Sequence, residues 1–114
     1  MHEINIVRQV VKTVEEFAAE NNVGDIREIV LDSGELALVI PEDVEDIYPA
    51  VVKGTVLEDT KLIINVVPGL AECDDCGEIF NVIEANGICP NCGSDSKEVL
   101  SGKDFYIKEI HRPE

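Results

Sequence analysis

This 114-residue sequence predicts an α+β fold: two helices on a small mixed three-stranded sheet, with a cysteine-bearing insert ahead of the last strand. Three observations predict it. The chain opens on a long amphipathic pattern, β-rich runs stand on both sides of a four-cysteine segment, and a second helix start sits between the first two runs.

The first helix rests on Ile4, Val7, Val11, Val14 and Phe17/Ala18, a 3–4 spacing that makes one apolar face. Arg8, Gln9, Lys12, Glu15 and Glu16 fill the other face. "NNVG" at 21–24 is expected to end it, with Gly24 able to take the left-handed conformation. "IREIVLD" (26–32) reads as a strand and "SGE" (33–35) as a turn. "LALVI" (36–40) is either a short strand or an apolar loop.

A second helix begins at Pro41, which suits a first helical position, and Glu42 and Asp43 complement the positive end of its dipole. Pro49 removes a donor, so a kink or restart is expected there before Lys53-Gly54 closes the helix. "KLIINVVP" (61–68) is the next strand and "DFYIKEI" (104–110) the last.

Nine basic against twenty-four acidic residues give a formal charge of −15. Nucleic-acid binding works by neutralising phosphates with Lys and Arg, so this balance argues against it. Only five residues are aromatic, and the core must be built mainly from Ile, Val and Leu. Arg8, Gln9 and Lys12 break up the first apolar stretch, and no run approaches a membrane span, so neither a signal peptide nor a membrane partner is expected. Four paired cysteines without a secretory signal read as reduced thiols of a cytoplasmic protein, hence as metal ligands.

Cys73-Asp-Asp-Cys76-Gly77 and Cys89-Pro-Asn-Cys92-Gly93 carry the strongest signal. Two residues between cysteines let one tight turn present both thiolates to a single ion. The following glycine relieves the backbone where it folds back under the sulfurs. Two such turns supply the four sulfurs that suit tetrahedral Zn2+, and a closed shell makes that ion structural. "EIFNVIEANGI" between them reads as a short hairpin turning at Asn86-Gly87. Asp74 and Asp75 add negative charge beside the site, and no histidine is present in this segment. So small an insert holds little core, and metal binding is expected to supply most of its folding energy, ~10–16 kcal/mol.

"MHE" opening the first helix, "SGEL" after the first strand, "KGT" after the second helix, the "CxxCG…CPxCG" ribbon and "SGKDFYIKEI" at the close run through the whole chain in order. Together they resemble the HypA/HybF family, nickel metallochaperones of hydrogenase maturation. The resemblance implies a discontinuous nickel-binding α+β domain (1–70 and 103–114) with an inserted zinc-ribbon domain (71–102). It also implies a nickel site at His2 and Glu3.

The chemistry of these residues agrees. Ni2+ favours square-planar nitrogen donors, and the amine of Met1, the backbone nitrogen of His2 and its imidazole can close fused chelate rings. The backbone nitrogen of Glu3 is a fourth donor. Its carboxylate, in the first turn, offsets the repulsion of a cation by the helix N-terminus. The other histidine, His111, reads as a surface residue, or as a further ligand if the last strand returns it to the first helix. Departures from the family pattern are Pro49, "ALV" after "GEL" where Ser-Gly is more usual, and the absence of a ribbon histidine.

The function so implied is acceptance of Ni2+ at the N-terminus and its delivery to [NiFe]-hydrogenase. The implied partners are the GTPase HypB, the hydrogenase large-subunit precursor and, in some members, the urease assembly proteins. A monomer or weak homodimer is expected. No paired acid–base residues or activated nucleophile appear, so the chain is not expected to be an enzyme. Two alternatives stand beside this reading: a zinc-ribbon adaptor without metal cargo, and a rubredoxin-like iron electron carrier.

Overall fold

A computed structural model describes residues 2–113, and His2 by its backbone alone. Helix α1 spans His2–Glu20 and α2 spans Pro41–Val52. Strands β1 (Glu28–Gly34), β2 (Lys61–Val67) and β6 (Phe105–His111) form one sheet in the order β2-β1-β6. β1 pairs with β2 in parallel and with β6 antiparallel, so the sheet is mixed. Strands β3 (Leu70–Cys73), β4 (Ile79–Asn81) and β5 (Lys97–Val99) form a second, antiparallel sheet ordered β4-β3-β5. The α+β architecture with an inserted second sheet is the one the sequence predicts.

Val7, Val10, Val11, Val14 and Ala18 bury one face of α1 against Val44, Tyr48 and Val52 of α2 and against Ile29 and Leu31 of β1. Within the expected Phe17/Ala18 pair, Ala18 is buried and Phe17 is exposed, because the stripe needs a small residue where the chain turns out of the helix. Tyr48 donates its hydroxyl to Thr60 O (2.9 Å), and Thr60 Oγ1 donates to Ile26 O (2.7 Å). These bonds tie the loop before β2 to the start of β1.

Several local expectations are corrected. Asn22, not Gly24, takes the left-handed conformation after α1, at φ 54°. Val23 N–H then reaches back to Ala18 O (2.9 Å), the paired-carbonyl closure that asparagine tolerates at this position. β1 runs two residues beyond its predicted end, through Ser33 and Gly34, because both still pair with β2. The turn therefore begins at Glu35, and of the two alternatives for 36–40 the structure takes the loop. The helix does not restart at Pro49 but continues to Val52. The proline ring leaves Glu45 O without its helical donor, yet Glu45 and Pro49 are both exposed, on the side of the helix that faces solvent.

The hairpin expected within 78–88 does not form. Ile79–Asn81 pairs with β3 instead, and residues 82–87 make consecutive turns that place Asn86 and Gly87 both at positive φ. The turn chemistry of Asn-Gly is used, but to bring the chain round to Cys89 rather than to join two strands. The two sheets meet where the ends of β1, β2 and β5 converge. A Cβ on Gly34 would lie 2.1 Å from Gly102 O, so main chain lies directly on main chain there.

Candidate metal centres

Both cysteine turns are built alike. Cys73 N–H donates to Glu78 O (2.8 Å) and Gly77 N–H to Cys73 O (2.9 Å). In the second turn Cys89 N–H donates to Ser94 O and Gly93 N–H to Cys89 O, each at 2.9 Å. Gly77 and Gly93 stand at φ 77° and 78°, the left-handed conformation that each fold-back requires.

All four Sγ atoms lie within 4.8 Å of one another. Cys73 and Cys92 sulfurs are 3.5 Å apart, as are those of Cys76 and Cys89. A disulfide bond needs about 2.05 Å, so these are four separate thiols. Tetrahedral zinc at Zn–S ~2.3 Å places its sulfurs ~3.8 Å apart, and the quartet fits that donor shell. Cys73 and Cys89 are buried and Cys76 and Cys92 exposed.

The electrostatics of the bare quartet favour one thiolate. Asn91 Nδ2–H donates to Cys76 Sγ (3.4 Å), and with the Glu78 backbone N–H it lowers the Cys76 thiol to about 7. The Ser94 backbone N–H pulls Cys92 downward, but bonding to Cys73, Cys76 and Cys89 and desolvation outweigh it, and Cys92 is pushed up to about 12. One sulfur gives up its proton readily and a second resists, which is the opposition a divalent cation removes.

Asp74 and Asp75 are tied down, not free. Asp74 Oδ2 accepts from Ser96 Oγ (2.6 Å), Asp75 accepts from Ser94 Oγ, and Asp74 N–H donates to Ser96 O (3.0 Å). These bonds lace the first knuckle to the segment leading into β5. The pairing of an aspartate on one knuckle with a serine beyond the other leaves no periodic signal in the sequence.

Of the predicted N-terminal set, Met1 and the His2 side chain lie outside the described residues. Glu3 sits half-buried in the first turn of α1. Ile6, Gln9 and Val10 share a groove of about 310 Å3 with Phe105, Tyr106 and Ile107. The second and third turns of α1 therefore lie beside the start of β6, the end of the sheet from which the insert departs. His111 lies at the opposite end, beside Arg27, whose N–H donates to His111 O (2.8 Å). Its Nδ1 and Nε2 each stand 3.0 Å from a carboxylate oxygen, of Glu28 and Glu109. The return of β6 toward the start of α1 does not happen at this residue, because β6 runs away from it.

Comparison with known proteins decides the family. The family model described as "Hydrogenase/urease nickel incorporation, metallochaperone, hypA" matches residues 1–112. The chain belongs to the HypA family. The hydrogenase maturation factor HypA of Aquifex aeolicus is 34% identical, with 96% of each chain covered. That of Geobacter sulfurreducens is 37% identical over 96% of this chain and 97% of its own. The fold is shared with the solution structure of the nickel metallochaperone HypA from Helicobacter pylori, at TM-score 0.66 and 21% identity over 96% of each chain. A second solution structure of a HypA protein gives 0.71 and 23%, over 99% of this chain and 97% of the other. The family is one of metallochaperones acting in maturation, and among the described residues no helix is long and apolar enough to cross a membrane.

Proposed function

We propose that this HypA-family chain accepts Ni2+ at its N-terminus, through Met1, His2 and Glu3, and delivers it during maturation of [NiFe]-hydrogenase. Cys73, Cys76, Cys89 and Cys92 would hold the structural Zn2+, which supplies folding energy rather than chemistry. The observation that carries the reading is the family match over residues 1–112, joined to a thiol quartet whose sulfurs all lie within 4.8 Å of one another. A closed four-sulfur shell has no open position for cargo, which directs the cargo elsewhere on the chain.

Glu3 in the first turn of α1 supports the nickel assignment, because its charge counters the positive helix end that would otherwise repel a cation. The protein acts as a carrier, not an enzyme, in the cytoplasm. Its partners are HypB, the hydrogenase large-subunit precursor and the urease assembly proteins. The division into 1–70 with 103–114, and 71–102, is supported by the convergence of Gly34, Gly69 and Gly102 at the sheet junction.

A second reading has its own observation. The ribbon leaves Ile79, Ile83, Ile88 and Leu100 exposed, apolar surface that suits an adaptor docking on a partner. Calorimetric Ni2+ titration of zinc-loaded, untagged protein beside its His2→Ala variant separates the two. Stoichiometric binding lost in the variant supports the carrier. Binding absent from both, or equal in both, leaves the adaptor.

A further inference from the structure

The ribbon leaves and rejoins the sheet body through two chain crossings, at 68–70 and 101–103. The crossings lie against each other and against the end of β1. A Cβ on Gly102 would stand 2.5 Å from Pro68 O, and one on Gly69 would stand 2.6 Å from Leu36 Cγ. Leu36 N–H donates to Gly102 O (2.8 Å), Ser101 Oγ to Pro68 O (2.8 Å), and Leu100 N–H to Leu70 O (2.7 Å). Each of these bonds sits close to the pivot. They hold the crossings together but have little leverage over the tilt of the ribbon.

Glu35 reaches across the pivot to the neighbouring strand, where Asn81 pairs with Leu70 and Val82 N–H donates to Gly69 O (2.8 Å). Its Oε1 accepts two bonds, from Gly69 N–H (2.8 Å) and from Asn81 Nδ2 (3.0 Å) at the end of β4. Asn81 is itself fixed, since its Oδ1 accepts from the N–H groups of Ile83 and Glu84, both at 3.0 Å. Those bonds set the start of the 82–87 turns, which lead to Cys89. The Gly69 amide first, and then Asn81, hold the Glu35 carboxyl below its ordinary range, as expected of a carboxylate shared by two donors. Among the described residues, no other side-chain-to-side-chain hydrogen bond or ion pair joins the sheet body to the ribbon.

We propose that Glu35 is the positioning residue that sets the angle of the ribbon to the sheet body, one carboxylate oxygen joining the Gly69 amide at the pivot to Asn81 on the adjoining strand. The ribbon is thereby presented to partners at a fixed angle to α1, whose second and third turns lie at the same end of the sheet. The claim concerns the orientation of two bodies and does not rest on the nickel reading, so either can fail alone.

Residual dipolar couplings on the full, zinc-loaded chain test it. In the unaltered protein one alignment tensor is expected to fit both sheets. Glu35→Ala is expected to require two tensors while one zinc per chain is retained. Glu35→Gln keeps an acceptor oxygen for both donors and is expected to restore a single tensor. Asn81→Asp keeps the oxygen that accepts from Ile83 and Glu84, loses the donor to Glu35, and is expected to resemble Glu35→Ala. Should Glu35→Ala fail to fold, Asn81→Asp decides by the same two outcomes. A single tensor in Asn81→Asp, or a Glu35→Gln protein as loose as Glu35→Ala, overturns the proposal.

Discussion

The sheet body and the ribbon reach order by different means. In the body, residues such as Val14 of α1, Ile29 and Leu31 of β1 and Leu57 of the loop before β2 close over one another with almost no exposed surface. The buried cluster of the ribbon is Ala71, Cys73, Phe80 and Cys89, so half of it consists of thiols. Apolar burial at ~25 cal/mol per Å2 can hold the first region. The second must draw on its ion, and losing that ion removes its fold while leaving the body standing.

The largest effect follows from that contrast. Chelation of zinc, or Cys73→Ser, is expected to abolish hydrogen-exchange protection in β3, β4 and β5 while α1, α2 and β1 keep theirs. Residue-resolved exchange checks it, and uniform loss across both sheets would break the contrast. Leu57→Ala acts in the opposite sense. It empties a fully buried site in the body and should cost about 2–5 kcal/mol by denaturant unfolding, with zinc content unchanged.

Leu38 gives a smaller effect of opposite sign. It stands at φ 61° and is 91% exposed, so its side chain strains the backbone and buries nothing. Leu38→Gly relieves the strain at some cost in unfolded-chain entropy, for a net gain of about 0.5–1 kcal/mol. The left-handed backbone at this position is one that a glycine suits.

How much of this was legible depends on how local the cause is. Pro41, Lys53-Gly54 and the valine stripe of α1 act within one turn of helix, and they mark their elements correctly. The two knuckles were equally plain, because each is a complete hydrogen-bonded unit within seven residues. What the sequence hid is set by partners far along the chain. Ser33 and Gly34 read as a turn, yet pairing with Val66 and Val67 keeps them in β1. Ile79–Asn81 was expected to pair forward, but β3 is its partner. Glu35 stood in the "SGE" turn and the "SGEL" motif without a partner assigned to it, and only the fold brings Asn81 to it.

The smallest expected effect is at His111. Hydrogen bonds to Glu28 first, and to Glu109, raise its pKa above 6.5. The stability it lends to the β1–β6 pairing is therefore fully present below pH 6.5 and is lost as pH rises through the raised value. An NMR titration should show the midpoint moving down in Glu28→Gln. A midpoint unmoved by that change would remove the ion pair from the account.

The central claim is that the two metals have separate places, zinc on the cysteines and nickel at the start of α1. One equivalent of Ni2+ added to zinc-loaded, untagged, isotope-labelled protein tests it directly by amide NMR. The account predicts shifts or broadening in the first turns of α1 and the neighbouring start of β6, with no zinc released. Perturbation centred on Cys73, Cys76, Cys89 and Cys92, or zinc displaced into solution, would contradict it.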